Sequence, residues 1–371
     1  MESFMKIIPL FLLVCFINLI SSCPAQNPPA NQDGPWNHQI HFATSKDGLN
    51  WNVEPAPLMK EASVPDIIVL SGRGTAGSEG TTFVYTVDAR PMKASRFENI
   101  SLLISKDNGK SWTEPEAVKI NGIKETNAAP VDPSIVQLED GRLRLYFYAM
   151  VKAPPRPDST HKFYSAISTD GRNFTVEDGV RFEAANITDP EVIFADGEWL
   201  MFISHGEESW LARSPDGLNF KRDEKVIFRG GGVPGALPLA DGRVRVFLCG
   251  RGGILSALFD PQTSEIIAED GIRAERAADP SIYRRHDATY AIIIKKWTNP
   301  PNFRPENNRG LQPKFMQMFD LNKDGRLSRE ELKNLQESFE KLDENKDGQL
   351  DMRELMGPPP PQRVNQPDKP N

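Results

Sequence analysis

Short apolar runs separated by tight polar turns recur along the chain from Trp36 to about Trp297. Several of the turns are an Asp-Gly pair between two such runs, which is a strong local signal for a β-hairpin. These turns are Asp140-Gly141, Asp196-Gly197 and Asp241-Gly242. The pattern predicts a mainly β domain over residues 36–298.

Two kinds of unit alternate within this domain. One opens with a proline beside an acidic residue or glycine and continues as an apolar run; its five copies contain Pro65, Pro133, Pro190, Pro234 and Pro280. The other is a turn with Ser, Asp, Gly and then Trp or Phe; its clear copies start at Ser45, Ser105, Ser168 and Ser214, with a degenerate fifth at Phe259–Ser264. Repetition at about 45 to 65 residues per unit is typical of a β-propeller.

The order of the units predicts how the ring closes. The chain begins with a turn unit and ends with a proline unit, which gives five complete blades. The fifth blade then has to combine the N-terminal hairpin, about His38–Glu54, with the C-terminal one, about Asp279–Trp297. This pairing leaves no free edge in the ring. We therefore expect a five-bladed β-propeller followed by a small α-helical domain.

The serine-containing turns resemble the Asp-boxes of sialidases and other β-propellers. By this resemblance Ser and Asp bond the turn backbone, Gly takes a positive φ and the aromatic residue packs between sheets. We expect these turns to be structural and assign them no catalysis.

The functional face is expected where the first strand of each blade begins, together with the loops between second and third strands. Four acids are expected at one common step near the axis: Asp66, Asp132, Asp189 and Asp279. Carboxylates that converge on one axis, with cationic residues around them, are typical of a carbohydrate-processing site. A glycan is therefore the expected partner.

Five blades with Asp-Pro strand starts resemble the arabinanase, levansucrase and invertase group of glycosidases. The resemblance implies an axial Asp as base or nucleophile, a second Asp that tunes its pKa, and a Glu as general acid. Asp132 and Asp66 match the axial positions, and Glu191 or Glu207 is the candidate acid. Sialidases have six blades and an Arg before the first inner strand, whereas residues 62–65 contain none. Hydrolysis, glycan or partner binding without catalysis, and a structural scaffold all remain open.

Two calcium-loop patterns lie near the C-terminus, at residues 320–331 and 343–354, and both fill the D-x-[DN]-x-[DN]-G-x5-E template. They resemble EF-hands, in which side chains at positions one, three, five and twelve and the carbonyl at seven bind Ca²⁺. The residues at the ligand positions, including position nine, are Asp320, Asn322, Asp324, Arg326, Ser328 and Glu331 in the first loop and Asp343, Asn345, Asp347, Gln349, Asp351 and Glu354 in the second. Only residues 332–342 separate the loops, so one helix is expected to serve both.

The N-terminus predicts export. Residues 1–22 combine an early lysine, an apolar run and small residues, as in a secretory signal peptide. Ile20–Cys23 resembles the lipobox of bacterial lipoproteins, which implies that Cys23 is acylated and anchors the protein to the membrane at the cell envelope or cell surface. Residues 23–35 would form the tether.

Composition narrows the remaining choices. The net charge of −7 and the lack of a basic cluster argue against nucleic acid as a partner. Once the signal is removed and Cys23 acylated, Cys249 is the only free thiol, so the fold has no disulfide framework. A monomer is expected. Residues 299–313 are predicted to be a linker, residues 314–357 the EF-hand pair and residues 358–371 a disordered tail.

Overall fold

The computed structural model describes residues 34–91, 98–124, 128–151, 160–285 and 287–299, together with Lys346. The chain divides into two units, Met1–Asn299 and Pro300–Asn371, and every described strand belongs to the first. The predicted signal peptide and lipobox, the calcium-ligand positions and the C-terminal tail lie outside the described residues. Among the described residues, no helix is long and apolar enough to cross a membrane.

Five antiparallel sheets of at least four strands each form the propeller, with strands numbered in chain order. Blade one contains β4 (Ala62–Val69), β5 (Thr82–Asp88), β6 (Asn99–Ser105) and β7 (Glu116–Ala117). Blade two contains β9 (Ala128–Gln137), β10 (Leu143–Val151), β11 (Thr160–Ser168) and β12 (Asn173–Val176). Blade three contains β14 (Thr188–Ala195), β15 (Glu198–His205), β16 (Glu208–Ser214) and β17 (Lys221–Arg229).

Blade four contains β18 (Gly231–Pro238), β19 (Val244–Gly250), β20 (Gly253–Phe259) and β21 (Ile266–Glu275). Blade five contains β22 (Ala278–Arg284), β23 (Tyr290–Trp297), β1 (His38–Ser45) and β2 (Asn52–Val53). Three short strands add to these sheets: β3 (Met59–Lys60) pairs with β1, β13 (Phe182–Ala185) pairs with β11, and β8 (Lys119–Asn121) pairs with β12 in parallel. A 3-10 helix, Pro35–Asn37, precedes β1.

The ring closes in the fifth blade, which confirms the prediction from the order of the units. Strand β1 pairs with β23 along its whole length, from His38 opposite Trp297 to Ser45 opposite Tyr290. Just outside this pairing, the side chain of Asn37 donates to the carbonyl of Asn299 and accepts from its amide, at 2.9 and 3.0 Å. The two ends of the propeller chain are therefore tied to each other at the end of the two central strands of blade five.

The hydrophobic core lies between adjacent blades, and each innermost strand contacts the next around the ring. The serine-containing turns contribute to it as expected. Ser45 Oγ accepts from the amide of Gly48, and Asp47 accepts from the next two turn amides at 2.8 and 2.9 Å. The aromatic residue of each clear turn packs edge-on against an aromatic of the preceding blade, in the pairs Trp51–Phe247, Trp112–Phe42, Phe174–Tyr85 and Phe220–Tyr146.

Candidate functional site

A bulge interrupts the innermost strand of every blade at the same step. The residue before the proline takes a left-handed backbone, with φ between 44° and 52°, and the strand pairing skips there. These residues are Val64, Asp132, Asp189, Val233 and Asp279. Bulges re-aim side chains and are frequent beside active sites. Here the five prolines that follow line a small cavity at the axis.

The bulge corrects the expectation that four acids share one step. Asp132, Asp189 and Asp279 stand immediately before their prolines, whereas Asp66 follows Pro65. The blades align on the proline rather than on the acid, because the proline fixes where the strand bends. The acids therefore form two layers: a pre-proline layer of Asp132, Asp189 and Asp279, and a post-proline layer of Asp66, Ser134, Glu191, Gly235 and Ser281.

Asp279 is the anion of the pre-proline layer. Its Oδ2 lies 2.9 Å from Lys295 Nζ and accepts from Ser63 Oγ at 3.2 Å and from the amide of Val64 at 3.1 Å. Both side chains of the ion pair are largely buried. Burial would lower the pKa of Lys295, but the charge and hydrogen bond of Asp279 outweigh it and raise that pKa. The geometry is that of an ion pair in which Lys295 is held as the cation.

The other two acids of this layer sit side by side at the junction of blades two and three. Asp132 Oδ2 accepts from the amide of Asp189 at 3.4 Å. Burial, reinforced by the charge of Asp279, raises the pKa of Asp189 to about 6. Burial and the charge of Asp189 raise the pKa of Asp132 well above its usual range. Burial and the neighbouring carboxyls therefore favour the protonated form of Asp132.

All three acids of the pre-proline layer keep one oxygen available. Their hydrogen bonds and ion pairs with the described residues use only Oδ2. Among the described residues, the Oδ1 atoms have no partner, and none of them is sealed from solvent. Asp189 and Asp279 line the axial cavity together with Glu191.

The post-proline layer forms a ring of hydrogen bonds between blades. In four blades the side chain at the post-proline step accepts a hydrogen bond from a backbone amide of the next blade. That amide belongs to the residue that follows the post-proline residue of the next blade. The four bonds are Asp66 from Ile135 at 2.6 Å, Ser134 from Val192 at 2.9 Å, Glu191 from Ala236 at 3.0 Å and Ser281 from Ile67 at 3.0 Å. At the fifth junction stands Gly235, where a Cβ would lie 2.0 Å from the carbonyl oxygen of Pro280.

Asp66 and Glu191, both expected to be catalytic, differ in what this ring leaves free. Asp66 uses both oxygens, since Ile67 and Ser281 bond Oδ1 and Ile135 bonds Oδ2. Burial raises the pKa of Asp66 to about 6, although these donors oppose it. Glu191 uses only Oε1, and burial and the charge of Asp66 raise its pKa well above the usual range. Burial therefore favours the protonated form of Glu191, and its Oε2 has no partner among the described residues.

Glu207 lies apart from this group. It is exposed in the two-residue turn between β15 and β16, on the same face as the strand starts. The axial cavity itself has room for about one water molecule. Within the described ranges, no three His, Cys, Asp or Glu side chains are grouped so that they could hold a metal ion.

Sequence reasoning missed two residues of the site. Lys295 alternates with buried Ile293 on β23, and a lysine at the inward step of an apolar strand is the signal that could have found it. Cys249 accepts from the amide of Asp279 at 3.0 Å. Burial raises the pKa of its thiol, with the charge of Asp279 adding to the effect, so Cys249 is not a reactive nucleophile.

Comparison with models of protein families finds a match in the C-terminal part of the chain. Residues 311–336 and 335–357 match the model of the EF-hand family, which implies calcium binding. No curated protein matches the chain.

Three solved structures resemble the propeller. A protein of unknown function from Dyadobacter fermentans is 17% identical, with 73% of this chain and 87% of that chain covered and a TM-score of 0.49. A family 117 glycoside hydrolase from Zobellia galactanivorans is 16% identical, with 71% of this chain and 91% of that chain covered and a TM-score of 0.44. An α-L-arabinanase from Penicillium chrysogenum, solved with arabinobiose, is 14% identical, with 72% of this chain and 87% of that chain covered and a TM-score of 0.45. Similarity at this level carries no argument about activity, which has to rest on the site.

Proposed function

We propose that the propeller binds a glycan at the cavity face of the pre-proline layer and hydrolyses a glycosidic bond there. The observation that supports this most is that one cavity is lined by an ion-paired carboxyl, Asp279, and by a buried carboxyl, Glu191, that has no ion pair among the described residues. Lys295 Nζ lies 2.9 Å from Asp279 Oδ2, while burial raises the pKa of Glu191 and favours its protonated form. Both have an oxygen without a partner among the described residues.

Glycoside hydrolysis needs two carboxyl groups in different protonation states. A protonated carboxyl donates its proton to the leaving oxygen, and a carboxylate acts as base or nucleophile. In the proposed reaction Glu191 is the acid and Asp279 the carboxylate. The charge of Asp279 contributes to the raised pKa of Asp132 and of Asp189, so the three carboxyls interact electrostatically.

Structural need alone does not account for acids in the pre-proline layer. Asp132 and Asp279 accept from the pre-proline amide of the next blade. At two other junctions a hydroxyl or a thiol accepts this hydrogen bond. Ser204 Oγ accepts from the amide of Val233, and Cys249 Sγ accepts from the amide of Asp279. A neutral acceptor therefore suffices, and the carboxyls add charge and proton-transfer capacity beyond it.

The test is sugar release and binding with a fixed panel: sucrose, arabinobiose, xylobiose and 3′-sialyllactose. Glu191→Gln keeps an acceptor for the amide of Ala236 and introduces no charge, so the fold should persist. If Glu191 is the general acid, turnover falls by about 10²–10⁴. Asp132→Asn should also reduce turnover, while Asp107→Asn in a structural turn should leave it unchanged.

A non-catalytic binding module is the second candidate, and the narrow axial cavity favours it. In that case calorimetry shows binding of a panel sugar, weakened by Asp132→Asn, without any sugar release. If the wild type neither binds nor cleaves any panel sugar, while Asp132→Asn and Asp107→Asn destabilise it equally, the propeller is a scaffold.

We also propose that the C-terminal segment binds Ca²⁺ through the two ligand sets identified in the sequence. Carboxylate, amide and carbonyl oxygens are the donors that this hard cation prefers. Calcium titration of the full chain should show binding, with Kd near roughly 10⁻⁴–10⁻³ M if it resembles extracellular modules. Loss of binding heat in Glu331→Gln with Glu354→Gln would assign it to these loops, and unchanged heat would contradict the assignment.

A third proposal concerns location. We propose that the protein is exported and anchored through acylated Cys23, because Ile20–Cys23 has the lipobox pattern. Cys23→Ala should move the protein from the membrane fraction to the soluble fraction, whereas Cys249→Ala should not. An unchanged membrane fraction in Cys23→Ala would refute the anchor.

A further inference from the structure

Two rings form a stack at the junction that holds Asp132. Tyr148 of β10 and His161 of β11 lie with their centroids 4.8 Å apart and their planes 21° from parallel. Tyr148 pairs across the sheet with Val131, the residue directly before Asp132. The charge of Asp132 adds to burial in raising the pKa of Tyr148. The stack therefore stands beside the pre-proline layer.

One hydrogen bond fixes the tautomer of His161. Its Nδ1 lies 2.7 Å from the carbonyl oxygen of Ile187. A carbonyl can only accept, so Nδ1 carries the proton and a neutral ring has its lone pair on Nε2. Since Ile187 lies two residues before Asp189, the same bond also holds the start of β14.

The stack leaves two polar atoms unused. Among the described residues, neither the hydroxyl of Tyr148 nor Nε2 of His161 has a hydrogen-bond partner, and neither is sealed from solvent. The hydroxyl can donate and Nε2 can accept. A donor and an acceptor on adjacent stacked rings match the two roles of sugar hydroxyl groups.

A second stack in blade three shows what a closed arrangement looks like. His205 and Trp210 have centroids 3.9 Å apart, but Arg222 covers the Trp210 ring at 3.6 Å. Trp210 Nε1 donates to Glu208 at 2.8 Å. This stack has partners for the Trp210 ring and its donor, and it reads as packing.

We infer that Tyr148 and His161 are specificity-determining residues that bind hydroxyl groups of the glycan beside Asp132. The hydroxyl of Tyr148 donates to one sugar oxygen, and Nε2 of His161 accepts from a sugar hydroxyl. This inference rests on the proposed glycan site and names the residues that select its ligand.

The experiment is calorimetry of the full chain with the same four sugars. Tyr148→Phe keeps the ring and removes a hydroxyl that has no partner among the described residues, so its melting temperature should match the wild type. A net neutral hydrogen bond contributes about 1 kcal/mol, and Kd should therefore rise by about 5-fold. His161→Phe keeps the stack and should weaken binding at least as much. Tyr290→Phe is the matched control, because Tyr290 is the first residue of β23 and pairs with Ser45, which starts a serine-containing turn.

The outcomes separate this inference from the proposed function. His161→Phe also loses the bond to Ile187 and can lose stability, so Tyr148→Phe carries the test. If Tyr148→Phe binds within twofold of the wild type while Asp132→Asn binds much more weakly, the glycan site stands and the assignment of Tyr148 and His161 is overturned. If the wild type binds none of the four sugars, both the proposed site and this inference fall.

Discussion

Asp66 gives the sharpest prediction, because the same fold contains its neutral substitute. Ser134 and Ser281 occupy the equivalent step in blades two and five and accept the next-blade amide at 2.9 and 3.0 Å. Asp66→Ser should therefore keep the bond to Ile135 without a buried carboxyl. Asp66→Ala should leave that amide without its acceptor, at a cost of about 1–3 kcal/mol.

The pH dependence follows from the raised pKa of Asp66. The folded value is about 6 and the model-compound value is 3.8. A raised pKa means that the folded state binds the proton more tightly than the unfolded state. The stability contribution is therefore fully present below pH 3.8 and is lost as pH rises through about 6. From pH 4 to pH 8 the loss amounts to roughly 2 to 3 kcal/mol.

Urea unfolding of the full chain and both variants at pH 4 and pH 8 measures this directly. Asp132, Asp189 and Glu191 also have raised pKa values and contribute to the slope of every protein. The difference between Asp66→Ser and wild type removes most of that background. The free energy of unfolding of Asp66→Ser, relative to that of the wild type, should rise by roughly 2 kcal/mol between pH 4 and pH 8. Equal slopes, or equal stability of Asp66→Ser and Asp66→Ala, would refute the ring interpretation.

Three further predictions concern single contacts. Lys295→Met leaves the buried carboxylate of Asp279 without its cation and should cost about 3–5 kcal/mol in the free energy of unfolding near pH 7. Gly235→Ala places a Cβ 2.0 Å from the Pro280 carbonyl oxygen and should lower the melting temperature strongly, or prevent folding. Asp107→Asn removes a carboxylate whose pKa hydrogen bonds from Ser111 lower to about 2, so it should lose stability at neutral pH and lose less near pH 2.

Neighbouring positions supply the controls for these changes. Lys296→Met alters the adjacent lysine, which has no ion pair of its own among the described residues. Gly242→Ala meets no atom within 4 Å, so it reports only the cost of a positive φ. Urea or thermal unfolding compares each variant with its control. A Lys295→Met variant as stable as Lys296→Met, or a Gly235→Ala variant as stable as Gly242→Ala, would contradict the packing described.

The blade count and the closure of the ring were predictable because both are written in local patterns. An Asp-Gly pair or a serine-containing turn specifies a hairpin within a few residues, and the alternation of two hairpin types fixes their number. The pairing of β1 with β23 followed, since a ring with a turn unit first and a proline unit last can close only in that way.

The layering of the acids was not predictable by matching Asp with Asp. Val64 and Val233 occupy the pre-proline step in blades one and four, so that step is not acidic throughout. Alignment on the prolines would have separated Asp66 from Asp132. A lysine at an inward step of β23 is visible in the sequence, but its pairing with Asp279 and the stack of Tyr148 on His161 depend on contacts between strands, which no local pattern records.

The bulge explains why one propeller can use acids for two purposes. A regular innermost strand would continue its pairing past the proline, and every blade would present the same alternation of side chains. The bulge adds a residue at the pre-proline step, so the two steps around each proline serve different contacts. After the proline, a short acceptor reaches the next blade, and serine does this as well as aspartate. Before the proline, Asp279 bonds the next blade with one oxygen and keeps the other free at the cavity. The ring can therefore tolerate a change of acid to serine at the post-proline step in blade one, whereas loss of charge at Asp279 should remove the carboxyl that pairs with Lys295 at the cavity.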